Sequence, residues 1–160
     1  SFIENATIKA QHAAQLTQLP ALADDSGLAI DALDGAPGIY SARYAGENAT
    51  DDDRIKKVLN ALKDTADDQR SAQFHCAIVL VCPDHQTPPL ICHGVWSGTI
   101  LHEARGHQGF GYDPIFYVPS EQCSAAELAP QLKNQISHRG LALAQLRQKI
   151  DAFLKNICPS

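Results

Sequence analysis

"ALADDSGLAIDALDGAPGIYSARYAG", residues 21–46, decides how this chain is read. Its front half is apolar as far as Asp24 and Asp25. Its back half is rich in glycine and proline and sets Arg43 between Tyr40 and Tyr44. Ala21 to Ala23 is expected as a short strand and Leu28 to Leu33 as another, followed by turns at Asp34-Gly35 and Pro37-Gly38. The Asp24-Asp25-Ser26-Gly27 segment reads two ways. As a polar turn between strands it needs no partner, and the stretch taken alone favours this. As the end of a strand it offers carboxylates to Mg2+, a hard cation that takes oxygen ligands and often substrate phosphates. A carboxylate there could also accept a proton from an attacking water. Successive strand residues face opposite ways, so only one of the two aspartates leads into a given cleft.

Outward from this stretch, helices and strands alternate. Phe2, Ala6, Lys9/Ala10, Ala13 and Leu16 keep helical spacing, Ser1 and Glu4 form a capping box, and Pro20 ends the helix. Thr50 caps a second helix to about Lys63, with Ile55, Val58, Leu59 and Leu62 on one face. Phe74 to Val81 and Leu90 to Ile100 are β-prone and joined through Pro83-Asp84-His85, which predicts a hairpin. Ile115 to Val118 is a further strand, and Ser124 with Glu127 suggests a short capped helix. A last helix runs from about His138, with Leu143, Leu146, Ile150, Phe153/Leu154 and Ile157 as its stripe. The order predicts an α/β fold: a mixed, twisted central sheet flanked by helices, in one domain spanning residues 1–160.

Composition narrows the function. With 160 residues, 44% hydrophobic, and a net charge of −5, the chain has the make-up of a globular domain. It lacks the basic surface that sequence-independent nucleic-acid binding requires. It has neither a membrane-length apolar run nor a signal-peptide pattern. Cys76, Cys82, Cys92, Cys123 and Cys158 are odd in number and scattered without a CxxC pair, which predicts reduced thiols in a cytoplasmic protein and no structural zinc. The chain has no methionine and opens inside a helix, so it reads as a fragment of a longer protein.

Two further motifs carry chemistry. In "GHQGFGYDP", residues 106–114, Gly106, Gly109 and Gly111 free the backbone to approach a ligand, and Phe110 and Tyr112 offer flat faces to a base. Asp113 precedes a proline that keeps it out of the helical region. A loop with its aromatics tucked into the core is an equal reading. In "KNQISHRG", residues 133–140, Ser137 can cap the last helix, leaving His138 and Arg139 where cations oppose the helix dipole. A bound anion or a base carbonyl would account for them; so would plain solvent exposure. His12, His75, His85, His93, His102 and His107 show no ligand spacing. His75 and His93 fit satisfied strand residues, and Trp96 fits the core. Neither a Gly-x-Ser-x-Gly elbow nor a P-loop is present.

"FIENATIKAQHAA", the long 21–46 motif, "QGFGYDPIF" and "ISHRG" stand here in the order found in the inosine/xanthosine triphosphate pyrophosphatase family, and the sequence resembles its bacterial members over nearly the whole chain. The resemblance implies Mg2+-dependent hydrolysis of ITP, dITP and XTP to the monophosphate and pyrophosphate by a homodimer. It implies Asp25 as acid–base residue and metal ligand, and Ser26 against the substrate. Phe110, Gly111, Tyr112 and Asp113 would line the base pocket, Lys133, His138 and Arg139 would contact the nucleotide, and Lys9 would reach toward the phosphates. Family members also carry an earlier strand, a Thr-Gly-Asn-x-x-Lys-type loop and a further acidic metal ligand, all ahead of the position of Ser1. On that ground the chain is expected to keep base recognition with weakened hydrolysis. The competing reading is a non-catalytic nucleotide-binding or dimerisation fragment.

Overall fold

Ser1 opens the first helix, α1 (Phe2–Thr17), accepting from the amide of Glu4 in the expected capping box. The computed structural model describes residues 1–157; Cys158 lies outside them. Strand β1 (Ala21–Ile30) follows, then two 3-10 segments, Asp31–Leu33 and Gly38–Arg43. Thr50 and Asp53 cap each other at the start of α2 (Asp51–Ala61). The long strands β2 (Ser71–Val81) and β3 (Leu90–Ile100) lead to the short β4 (Phe116–Val118) and β5 (Cys123–Ser124). Helices α3 (Pro130–Ile136) and α4 (His138–Ile157) end the described chain. The five strands form one sheet in the order β1-β2-β3-β4-β5, with β3–β4 and β4–β5 antiparallel, so the expected helix-flanked α/β sheet is present. No helix among the described residues is long and apolar enough to cross a membrane.

The chain divides into two compact units, and β1, β2 and β3 each give residues to both. The first holds Ser1–Ser26, His75–Val95 and the chain from Ser137. In it Ala6, Ala10 and Ala14 of α1 pack on Ala77, Val79 and Val81 of β2, together with Ala21 and Ala23 of β1. On the alternate positions Cys76 and Ile78 of β2 and Cys92 of β3 pack on Ala142 and Leu146 of α4. A strand's period of two thus gives each helix its own face. The second unit, Gly27–Phe74 and Trp96–Ile136, is built on Leu28, Ile30, Val58, Leu62, Phe74, Trp96 and Phe116. Its buried Arg70 donates to the carbonyls of Leu62, Ile100 and Leu101 at 2.8–2.9 Å, tying the end of α2 to the end of β3.

Several local expectations are corrected. The strands expected at 21–23 and 28–33 merge into one strand, Ala21–Ile30, uninterrupted through Asp24-Asp25-Ser26, while Asp31–Leu33 is a 3-10 turn. The carboxylates are tolerated mid-strand because each meets a cation on its own face. The buried stripe of α1 is Ala6-Ala10-Ala14, and Leu16 is exposed. On α4, Leu143 and Leu154 are exposed while Ala142 and Phe153 are buried, because small Ala142 is what meets the strands. Helix α3 was not anticipated, and the capped segment after Ser124 is a single 3-10 turn. The hairpin of β2 and β3 is as expected, and Asp84 binds the amides of Gln86 and Thr87 in its turn. Cys76, Cys82, Cys92 and Cys123 are free thiols.

One strand position, Gly94, is set by close packing. A Cβ at Gly94 would collide with the carbonyl of His138 and lie 2.8 Å from the amide nitrogen of Ala142, so β3 and the first turn of α4 touch backbone to backbone. Neither backbone can yield as a side chain can. Gly94→Ala is therefore expected to cost about 1–3 kcal/mol, seen as a fall of several degrees in Tm; an unchanged Tm would mean that α4 retreats freely.

His75 stacks on Phe2, and its Nδ1 lies 3.0 Å from Nε2 of His93. The amide of Gln145 on α4 pairs with both the N–H and the C=O of His93, at 2.9 and 2.8 Å. Burial, and secondarily His93, hold the His75 imidazole below its ordinary pKa of 6.5. The unfolded chain then binds a proton near that pH which the folded chain refuses, so the contribution is full above it and shrinks as pH falls below it. Thermal unfolding between about pH 7.5 and about pH 5.5 should show Tm falling with pH, and His75→Gln should flatten the slope. An identical slope in the variant would remove His75 as its source.

Candidate functional site

The candidate residues fall into two groups, one within each unit. In the first unit the pleat of β1 separates the aspartate pair. Asp25 faces α1, where Asn5 and Lys9, one helical turn apart, reach it together. Lys9 Nζ lies 3.0 Å from Asp25 Oδ1 and 3.1 Å from the backbone carbonyl of Asp24, and Asn5 Nδ2 lies 3.4 Å from Asp25 Oδ2. The Asp25 side chain is 15% exposed, Lys9 more than half. Asn5 went unrecognised in the sequence, although its place four residues before Lys9 is the signal that finds it.

Asp24 faces α4 instead, and its Oδ2 accepts from Nη2 of Arg139 at 2.8 Å. Ser137 caps α4 as expected, its Oγ accepting from the amide of Gly140 at 3.1 Å. His138 is buried, while Arg139 is exposed. The Ser26 hydroxyl, one pleat beyond Asp24 on the same face, is buried beside the thiol of Cys76. Burial pushes that thiol's pKa up, with the Ser26 hydrogen bond acting in the opposite direction.

In the second unit the loop 109–113 is folded around Asp113. This buried carboxylate accepts from the amide of Phe110 at 3.0 Å and from Nζ of Lys133 on α3. A Cβ at Gly109 would collide with Asp113 Oδ2, so only glycine leaves room for the pair. Lys133 Nζ also stands 4.9 Å from the centre of the Phe110 ring, and that ring is 69% exposed. Gly111, at φ +61°, gives its amide to Asp51 Oδ2 at 2.9 Å, a contact from the first turn of α2 that the sequence did not disclose. Tyr112 departs from the expectation that it lines the base pocket: its ring is 5% exposed in the core, and its hydroxyl donates to the carbonyl of Ser41 at 2.7 Å. Burial holds its phenol protonated far above the usual range.

Among the described residues no three His, Cys, Asp or Glu side chains gather as a metal cage. The donor set still fits Mg2+, which commonly takes one or two carboxylates and completes its shell with water and substrate phosphates. Asp25, a partly exposed hard-oxygen donor, suits an ion that arrives with a triphosphate.

The Ham1 family model matches residues 1–149. The chain is 63% identical over 155 residues to the dITP/XTP pyrophosphatase of Coxiella burnetii, covering 96% of this chain and 78% of that one. It is 59% identical over 151 residues to the dITP/XTP pyrophosphatase of Vibrio cholerae, covering 94% and 76%. Among solved structures, a HAM1 protein from Coxiella burnetii superposes with a TM-score of 0.91 at 62% identity over 95% of this chain and 77% of that one. The Staphylococcus aureus Ham1 protein gives 0.90 at 45% identity over the same shares. The chain belongs to the Ham1 family.

Proposed function

We propose that the chain hydrolyses purine nucleoside triphosphates with deaminated bases, ITP, dITP and XTP, to the monophosphate and pyrophosphate. The observation that carries this reading is Asp25, a mid-strand carboxylate presented by Lys9 and Asn5 in a chain that shares about 60% of its residues with two dITP/XTP pyrophosphatases. Asp25 takes the proton of the attacking water and would hold Mg2+. That ion, when bound, supplies charge neutralisation at the phosphates. Lys9 adds a fixed positive charge beside the same carboxylate.

Base choice falls to the cations. Hypoxanthine and xanthine carry a carbonyl oxygen where adenine carries an amino group. Lys133, oriented by Asp113 in the second unit, and Arg139 in the first are each donors of the kind that pairs with such an oxygen and would face another donor with adenine. Phe110 offers its exposed ring to the base. Gly111 and Asp113 shape this loop, and Ser26, Tyr112 and His138 support the contacting residues from buried positions. The reading includes Mg2+ as the divalent ion, a homodimer as the working form, and a cytoplasmic setting.

Pyrophosphate release from dITP, XTP, dATP and dGTP, with and without Mg2+, tests the whole. Release is expected from dITP and XTP and to require the metal; hydrolysis of dATP in preference to both would overturn the reading. Asp25→Asn should lower kcat by about 10²–10⁴-fold, the usual weight of a general base, with IMP affinity by calorimetry nearly unchanged. A parallel loss of both would make the aspartate a structural residue. Lys133→Met should raise dATP turnover relative to dITP by at least about tenfold; a preserved ratio would take base reading away from Lys133.

A further inference from the structure

Asp24 has no part in the chemistry above, although its partner Arg139 does. Their ion pair joins residues 115 positions apart, and both side chains are about half exposed, 44% and 54%. An ion pair that open to water adds little to stability. Its cost is plain, because Asp24 puts a second negative charge directly beside Asp25, and Arg139 stands in the first turn of α4 where a cation opposes the helix dipole. Geometry supplies a use for it. Guanidinium is a planar fork of five N–H donors with no acceptor. Anchoring Nη2 on Asp24 Oδ2 restricts the rotation of that plane and so aims the remaining donors.

The anchor is itself fixed. The backbone carbonyl of Asp24 accepts from Lys9 Nζ, the same nitrogen that bonds Asp25. The backbone of α4 next to Arg139 is held against β3 at Gly94, and Ser137 caps the turn. Both ends of the Asp24–Arg139 bond are therefore set on regular elements rather than on loops, as positioning a donor requires.

We infer that Asp24 is a positioning residue that sets base selectivity, holding the Arg139 guanidinium in the orientation in which its remaining N–H groups meet the purine carbonyl. The inference rests on the reading of Arg139 as a base contact. Asp25 serves the phosphates and Asp24 the base, one on each face of the same strand.

The test is a double-mutant cycle on the full chain with Asp24→Ala, Arg139→Ala and the pair, reading the ratio of kcat/KM for dITP over dATP, with Tm followed for each. Asp24→Ala should lower that ratio by about tenfold, the order of one charge-assisted hydrogen bond. Arg139→Ala should lower it at least as far, and the double variant should be no worse than Arg139→Ala alone. Asp24→Asn, which keeps the side-chain shape, should show the same direction if Asp24→Ala proves unstable. A ratio unchanged by either Asp24 substitution, where Arg139→Ala lowers it, overturns the positioning role and leaves the function of Arg139 standing. Additive losses overturn it as well, since they place Asp24 outside the path through Arg139. A ratio unchanged by Arg139→Ala removes Arg139 from base reading, and the inference falls with it.

Discussion

The two-residue period of β1 is the constraint on which the first unit depends. Like charges on adjacent residues repel, and a strand lowers that cost by sending them to opposite faces. Each face then supplies its own counter-charge from a helix, Lys9 from α1 and Arg139 from α4. An aspartate side chain is short, so both helices have to lie close to the sheet. Close approach is secured by small residues: Ala6, Ala10 and Ala14 on α1, and Gly94 and Ala142 where α4 meets the strands. The alanine stripe is thus more than filler, because a larger residue there would lift Lys9 away from Asp25.

In the second unit the same economy is achieved by burial. Asp113 is a carboxylate removed from water, which is costly unless its oxygens are paired. Pairing comes from an amide of its own loop and from Lys133, so the loop 110–113 and α3 are locked by one side chain. Within the loop, residues divide by exposure: Tyr112 turns into the core and hydrogen-bonds Ser41, whereas Phe110 turns out under the ammonium of Lys133. One aromatic fastens the loop and the other is left exposed.

What could be read in the sequence was local. The capping box at Ser1 and the caps at Thr50 and Ser137 are visible because the partners lie within three residues of one another. The hairpin of β2 and β3 is visible because its turn sits between two long β-prone runs. The break expected in β1 was wrong for the converse reason. Asp-Asp-Ser-Gly has turn chemistry locally, and the cations that keep it in a strand come from positions 9 and 139. Arg70 was overlooked because carbonyls leave no mark in a sequence, and α3 because seven residues after a proline carry too few turns for periodicity. The order of the four motifs nevertheless led to the family, although none of them singly outweighed its bland reading.

Motifs present their residues as equals; the fold does not. Phe110, Lys9 and Arg139 are exposed and can meet a ligand directly. Tyr112, Asp113 and His138 are buried, as is the hydroxyl of Ser26. In the proposed reading, exposed members carry the contact energy and buried members the precision with which it is delivered. For a site that must tell a carbonyl from an amino group, precision is the scarcer quantity, since a donor free to swing aside would tolerate either base. Lys133, held by the buried Asp113, is restrained in that way, and it is the exposed cations that most need a carboxylate behind them.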